Sequence, residues 1–287
     1  MDLRALFNAK VIARTLGKLP PLESFILDLV YPKSRRVTHP FAMLGAEDLA
    51  DVVSNIPLVR RDGAAYPIGA GSRDTQFIEP NPVSTRSFVS ASTLNDLDAL
   101  GYAGQKQWST RLIDKQRKSG RATTEALATQ TLGGKIAYPI KTEAGLEIYE
   151  VDFGAILSYV MTKKWDDGAC TLEQVLLDLV AIVEALKAAS GYGTNIAFLA
   201  GKTAFLKLAA LVLSVGEGKI KAEIGKHAIE LAGFSVMLAS GGYKDLANSN
   251  TFVPSVKDHQ LVAVALDAPH TLFYCALDDT DANRAAL

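Results

Sequence analysis

Residues 102–134, YAGQKQWSTRLIDKQRKSGRATTEALATQTLGG, decide how this chain reads. The spacing predicts one long helix. Trp108, Leu112, Ile113, Leu127 and Leu132 are its large apolar residues, and Ala122 and Ala126 continue an intermittent stripe. Gly133-Gly134 supplies a stop. Gly120, in mid-pattern, costs about 1 kcal/mol relative to alanine and marks a place for a bend. Between Lys106 and Arg121, six cations (Lys106, Arg111, Lys115, Arg117, Lys118 and Arg121) stand against the single acid Asp114. A helix this long with so thin a stripe does not fill a core alone. The pattern predicts a beam lying across a sheet or against neighbouring subunits.

On its N-terminal side, residues 1–36 mix charge with apolar anchors, and Pro20-Pro21 divides them. They read as a short amphipathic helix, a break, and a second short helix ending near Tyr31-Pro32. Packing on the chain's own domain and packing on another subunit are both open from sequence. From Pro57 to about Leu97, Pro57, Pro67, Pro80 and Pro82 alternate with Gly63, Gly69 and Gly71 around short extended pieces. A stretch this long without a core of its own is uncommon in a compact domain. It reads as a projecting two-stranded arm that needs a partner surface. Arg60, Arg61, Arg73 and Arg86 stud it, answered by Asp62, Asp74 and Glu79. Such mixed charge suits pairing with a complementary patch, and equally suits plain solubility. Asn95 or Asp96 is expected to cap a short turn before the long helix.

On its C-terminal side, Lys135–Ile140 and Leu146–Phe153 read as a hairpin turning at Glu143-Ala144-Gly145. From Thr171 the texture is ordinary α/β. Thr171-Leu172-Glu173-Gln174 is a capping box opening a helix that ends at Gly191. A strand at Asn195–Leu199, a helix at Thr203–Val215 and a third helical stretch at about Lys221–Leu231 follow. Phe234–Ala239 reads as a strand turned by Gly241-Gly242, Asp245–Pro254 as a loop, and Gln260–Leu266 and Thr271–Leu277 as strands.

With 287 residues the chain has length for a sizeable core, and its net charge of −1 gives no global pull towards nucleic acid or acidic lipid. No run approaches the roughly 18 uninterrupted apolar residues of a membrane span. The opening residues Met1-Asp2-Leu3-Arg4 do not resemble a signal peptide. Cys170 and Cys275 imply no disulfide framework and fit a reducing site of folding.

The residues offer little chemistry. Gly201-Lys202-Thr203 follows a strand and opens a helix, but a phosphate-binding loop needs a glycine five positions earlier, where Ile196 stands. His39, His227, His259 and His270 show no metal-ligand spacing. Gly233-Phe234-Ser235-Val236-Met237 lacks the second glycine of a nucleophile elbow. Asp278, Asp279 and Asp281 read as a charged loop rather than a cation site. No acid–base pair assembles, so no catalytic, cofactor or metal residue is expected. The basic face of the long helix remains. It reads either as a solvated face or as a non-specific contact with a nucleic-acid backbone.

The order of these parts resembles the major capsid proteins of tailed phages, and in detail the lambda-type E family. Val37-Thr38 leads to Ile56-Pro57-Leu58-Val59-Arg60-Arg61 and Gly63. Phe77-Ile78-Glu79-Pro80 is followed by Pro82. Thr123-Thr124-Glu125-Ala126-Leu127 runs on to Leu132-Gly133-Gly134-Lys135-Ile136 and Val151-Asp152-Phe153-Gly154. Asn195-Ile196-Ala197-Phe198, Ala204-Phe205-Leu206, Gly242-Tyr243 and Tyr274–Ala282 complete the series. The resemblance implies an α+β chain with the Hong Kong phage-type major capsid fold. Residues 1–56 would be the N-terminal arm and lead-in, 57–97 the extended loop, and 98–167 the peripheral domain with its spine helix and hairpin. Residues 168–255 would be the axial domain, and 256–287 the return to the peripheral domain. The family continues with another peripheral strand where this sequence stops at Leu287.

The function so implied is an icosahedral shell of hexamers and pentamers enclosing a phage double-stranded DNA genome. It would assemble in the host cytoplasm with portal, scaffold and possible decoration proteins and reside in the virion. Arg60, Arg61, Arg73, Arg86 and Phe77 would lie in joints between subunits. Lys115, Arg117, Lys118 and Arg121 would face the genome. A nanocompartment shell of the same fold and, from another class, a small-molecule α/β enzyme with its site in 168–277 are the alternatives.

Overall fold

The computed structural model describes residues 6–44, 78–85, 87–161, 163–215, 222–225, 227–245 and 251–275. The chain divides into two units: Met1–Arg35 with Val83–His270, and Arg36–Pro82 with Thr271–Leu287. It is an α+β protein.

The first unit opens with α1 (Ala9–Lys18) and α2 (Phe25–Val30). α3 (Ala91–Ala99) then leads through Leu100 into α4 (Gly101–Thr131), the long helix. The expected cap before it is displaced. Ser90 Oγ accepts from Thr93 N, so the helix starts at Ala91, four residues before Asn95, which lies inside α3 with Asp96. Gly120 has open space around it. β2 (Lys135–Thr142) and β3 (Gly145–Asp152) pair antiparallel in the expected hairpin, from Lys135↔Asp152 to Thr142↔Gly145.

The sheet of this unit is built from five strands in the order β10 (Leu261–Ala265), β4 (Ile196–Ala200), β7 (Phe234–Leu238), β6 (Ala228–Leu231), β5 (Ala222–Ile224). β4 and β7 run parallel and the other neighbours antiparallel. α5 (Leu172–Ser190) is capped as its sequence predicts, Thr171 Oγ1 accepting from Gln174 N at 3.3 Å. α6 (Lys202–Val215) follows β4 directly. One apolar cluster joins these parts: Val175 and Leu179 of α5, Phe198 of β4, Leu208 of α6, Ile229 and Leu231 of β6, and Val236 of β7. Phe198 and Phe234 meet edge to face at 5.9 Å. Residues 261–265, within the 256–287 stretch, pair with β4 in this sheet.

Two expectations are corrected. Of residues 221–231, the described ones, 222–225 and 227–231, form no helix; β5 and β6 pair antiparallel with Ile224 opposite Ile229. Ile224, Ala228 and Leu231 do have helical spacing, but Ile229 and Leu231 also alternate inward, and both are fully buried on the sheet. The next turn, Ala232-Gly233, takes positive φ at both residues (49° and 93°), the geometry that joins two twisted strands through two residues. Residues 245–254 are not all loop either, since β9 (Thr251–Pro254) pairs with β8 (Gly242–Asp245).

In the second unit β1 (Arg36–His39) pairs in parallel with β11 (Leu272–Cys275), from Arg36↔Leu272 to His39↔Cys275. The residues flanking 45–77 meet each other: Leu44 and Ile78 exchange both backbone hydrogen bonds, at 2.9 and 3.0 Å.

Candidate interaction surfaces

The long helix holds the N-terminal segment by polar clamps. Ser24 precedes α2 without capping it. Glu125 of α4 does that work: its two carboxylate oxygens accept from Ile26 N at 2.8 Å and Leu27 N at 2.9 Å, both buried. One turn earlier, Arg121 Nε donates to Ser24 Oγ at 2.6 Å and Nη2 donates to the Asp28 carboxylate. The Tyr31 hydroxyl lies 3.0 Å from Thr131 Oγ1. Burial pushes that phenol above its ordinary range, opposed by the Thr131 hydrogen bond. At the other end Phe7 meets Trp108 edge to face at 5.9 Å. Residues 6–31 therefore pack on their own chain's long helix. Sequence reasoning missed Glu125. Its trace was a lone acid in an otherwise uncharged run, Ala122 to Leu127.

The four cations singled out on this helix do not form one set. Asp114 accepts from Arg117 Nη2 at 2.9 Å and Lys118 Nζ at 2.7 Å. Its carboxyl is held below the usual carboxylate range, the Lys118 hydrogen bond contributing most. Arg121 is taken up by Ser24 and Asp28. Lys115 and Lys118 are exposed, and with Arg111, Asp114, Ser119 and Ala122 they line a shallow open depression on the helix. The residues expected in subunit joints, Arg60, Arg61, Arg73, Arg86 and Phe77, lie outside the described residues.

A further surface carries no sequence signal of its own. After β3 the chain runs without helix or strand to Met161. Phe153, Ile156, Leu157 and Val160 are all more than half exposed along it, and Leu146 and Ile148 of β3 add to them. The run is pinned at Tyr159, whose hydroxyl donates to Asp178 Oδ1 of α5 at 3.0 Å. That hydrogen bond to a carboxylate is the main cause raising the phenol's pKa.

The glycine turn at 201 is filled by the chain itself. A Cβ at Gly201 would overlap the Lys257 carbonyl, because the 257–258 backbone crosses against it. Gly201 N donates to Gln260 O, and Ala204 N to Asp258 O, both at 2.9 Å. The start of α6 is thus covered by loop backbone, and Lys202 is exposed. His270 Nε2 donates to Ala265 O at 2.9 Å. Burial is the largest cause lowering its pKa. Among the described residues no group of three His, Cys, Asp or Glu is placed to hold a metal ion, and no helix is long and apolar enough to cross a membrane. Asp278, Asp279 and Asp281 lie outside the described residues.

No curated protein matches this chain. A family model described as phage major capsid protein E matches residues 8–287, nearly the whole sequence. The chain belongs to the phage major capsid protein E family.

Proposed function

We propose that this chain is the repeating subunit of an icosahedral shell around a phage double-stranded DNA genome, with the Hong Kong phage-type capsid fold. The observation that carries the reading is the family match across 8–287. The exposed apolar run from Leu146 to Val160 supports it, since a patch of this kind calls for cover by another surface. Such a subunit works by its surfaces. Individually weak joints suffice because closure of a shell makes many at once.

In this reading α4 is the spine of a peripheral domain and the five-stranded sheet with α5 and α6 belongs to an axial domain. Residues 57–97 reach over a neighbouring subunit, with Arg60, Arg61, Arg73, Arg86 and Phe77 in the joint. Hexamers and pentamers assemble in the host cytoplasm with portal and scaffold proteins, and decoration proteins are further candidates. Of Lys115, Arg117, Lys118 and Arg121, the exposed pair Lys115 and Lys118 is best placed to meet the genome.

Electron microscopy and sedimentation of the full chain, expressed with its neighbouring genes, test this reading. Closed shells, tubes or capsomer rings are expected. A compact monomer at high concentration, with residues 57–97 resistant to protease, overturns it.

A further inference from the structure

α1 carries charge of one sign only. Its ten residues, Ala9–Lys18, contain Lys10, Arg14 and Lys18 and no acid. Four-residue spacing sets the three cations on one helical face, and all three are exposed. Among the described residues none of them has an ion-pair partner. On α4 the cations are divided: Arg117, Lys118 and Arg121 each meet a carboxylate, while Lys106, Arg111 and Lys115 are exposed as the α1 cations are.

The rest of α1 is already committed. Asn8 Oδ1 caps it by accepting from Lys10 N at 2.8 Å. Ile12 is half-buried, and Phe7, just before the helix, packs on Trp108 of α4. An amphipathic helix that enters a lipid interface needs its apolar face free. Here that face is partly spent on the chain's own packing, with Val11 and Leu16 the only large apolar side chains of α1 left exposed. What α1 offers a ligand is chiefly a row of cations.

We infer that α1 is a contact for the phosphate backbone of duplex DNA, with Lys10, Arg14 and Lys18 each meeting a phosphate. This deepens the proposed shell function and rests on it for the identity of the polyanion. Lys10 to Lys18 spans about 12 Å at 1.5 Å per residue. The same length of duplex axis carries about seven phosphate charges, so three cations find partners in many registers. No aromatic side chain belongs to α1. The contact is therefore blind to base sequence.

The test is a salt titration of the full-length chain against a labelled 20-base-pair duplex of mixed sequence, read by fluorescence anisotropy. Wild type is compared with K10Q/R14Q/K18Q, with the charge-preserving K10R/R14K/K18R, and with K164Q/K202Q/K207Q. The last removes three exposed lysines elsewhere. Neutralising α1 should flatten the slope of log affinity against log salt by about 2–3 and weaken binding on the order of a hundredfold at 0.1 M salt. The charge-preserving variant should bind as wild type does, and the distant triple should change the slope by less than 1. Equal losses in the α1 and distant neutralised triples overturn the inference. So does a wild type that binds anionic phospholipid vesicles, or a poly-glutamate peptide, in preference to the duplex. Far-UV circular dichroism separates misfolding from loss of contact. Particle formation is read separately by microscopy. Shells with an unchanged slope sink the α1 contact alone, whereas absence of shells from wild type sinks the shell reading whatever the slope.

Discussion

The sheet region and the long-helix region solve the same problem with different materials. Around the five-stranded sheet, Val175, Leu179, Leu199, Leu208, Ile229, Leu231 and Val236 show no measurable exposure. Along α4 the buried residues are Gln105, Ser109, Ile113, Glu125, Ala126, Ala128 and Thr129, of which only Ile113 is a large apolar residue. The sheet is held by area removed from water, which is non-directional. The helix is held by directed hydrogen bonds: Glu125 on two amides of α2, Arg121 on Ser24 and Asp28, Gln130 on the backbone of Ala137 and the hydroxyl of Tyr243. A core is indifferent to which apolar groups meet, whereas a clamp fixes one register. In this chain the first makes a body and the second fixes where an arm lies on it.

The contrast is sharpest at two positions. Phe198→Ala removes a ring that is 1 % exposed and packed on Phe234, so a loss of about 3–5 kcal/mol is expected. Urea unfolding of the full chain measures it, and a loss under about 1 kcal/mol would show that this sheet is not the main store of stability. Glu125→Ala strands two buried backbone amides at about 1–3 kcal/mol each, about 2–6 kcal/mol in all before the chain relaxes. Glu125→Gln keeps one acceptor oxygen and should lose clearly less. The same pair of variants probes placement: amide exchange should rise over residues 24–31 in Glu125→Ala and stay unchanged on β4. If exchange rose equally in both places, the two regions would be one cooperative body and the distinction would fail.

The next effect down is steric. Gly201→Ala drives a methyl into the Lys257 carbonyl, and the backbone that must yield also carries the hydrogen bonds from Gly201 and Ala204. An overpacking loss of about 1–3 kcal/mol is expected, read as a lowered urea midpoint. A neutral result would mean that the 257–260 loop shifts freely and does not seal the start of α6.

What the sequence made legible follows from which of these materials was used. Periodicity and caps mark elements whose reasons are local. α4 was visible between Tyr102 and Gly134, the β2–β3 hairpin in its turn residues, and the start of α5 in Thr171 and Gln174. Family membership was legible in the order of weak motifs, which the match over 8–287 supports independently. The clamps were not legible, because Glu125 and Ile26 are 99 residues apart and nothing near either names the other. The β5–β6 hairpin is ambiguous in sequence because Ile224, Ala228 and Leu231 fit a helical period while Ile229 and Leu231 fit a strand's, and only burial in the apolar cluster chooses between them. The Ser90 cap competes in sequence with Asn95 and Asp96, residues of equal capping propensity a turn further on. The paired state of Arg117, Lys118 and Arg121 was invisible for the same reason as the clamps. A count of cations along a helix does not say which have been answered.

The smallest expected effect tests the polar mode by pH. His270 is the last residue of its unit before β11, half-buried beside the Tyr31 ring at 6.3 Å. Its neutral ring donates Nε2–H to Ala265 O. Burial disfavours the imidazolium most, Arg35 adds like-charge repulsion, and the Ala265 carbonyl and Asp267 oppose the shift without cancelling it. A histidine whose folded pKa lies below its unfolded value of about 6.5 binds more protons when unfolded. Its contribution is therefore whole above about pH 6.5 and is lost as pH falls from there through the lowered folded value. Asp267, held low chiefly by the Gly193 and Thr194 amides, weakens only in a more acid range, below the ordinary carboxylate pKa of about 3.9. The two are separable. Between pH 7 and 5, wild type should lose thermal stability by an amount that His270→Asn reduces, while Asp267→Asn, which removes a charge opposing the histidine's shift, keeps or enlarges that loss. Equal slopes for wild type and His270→Asn across this window would mean that the imidazolium is accommodated beside Arg35.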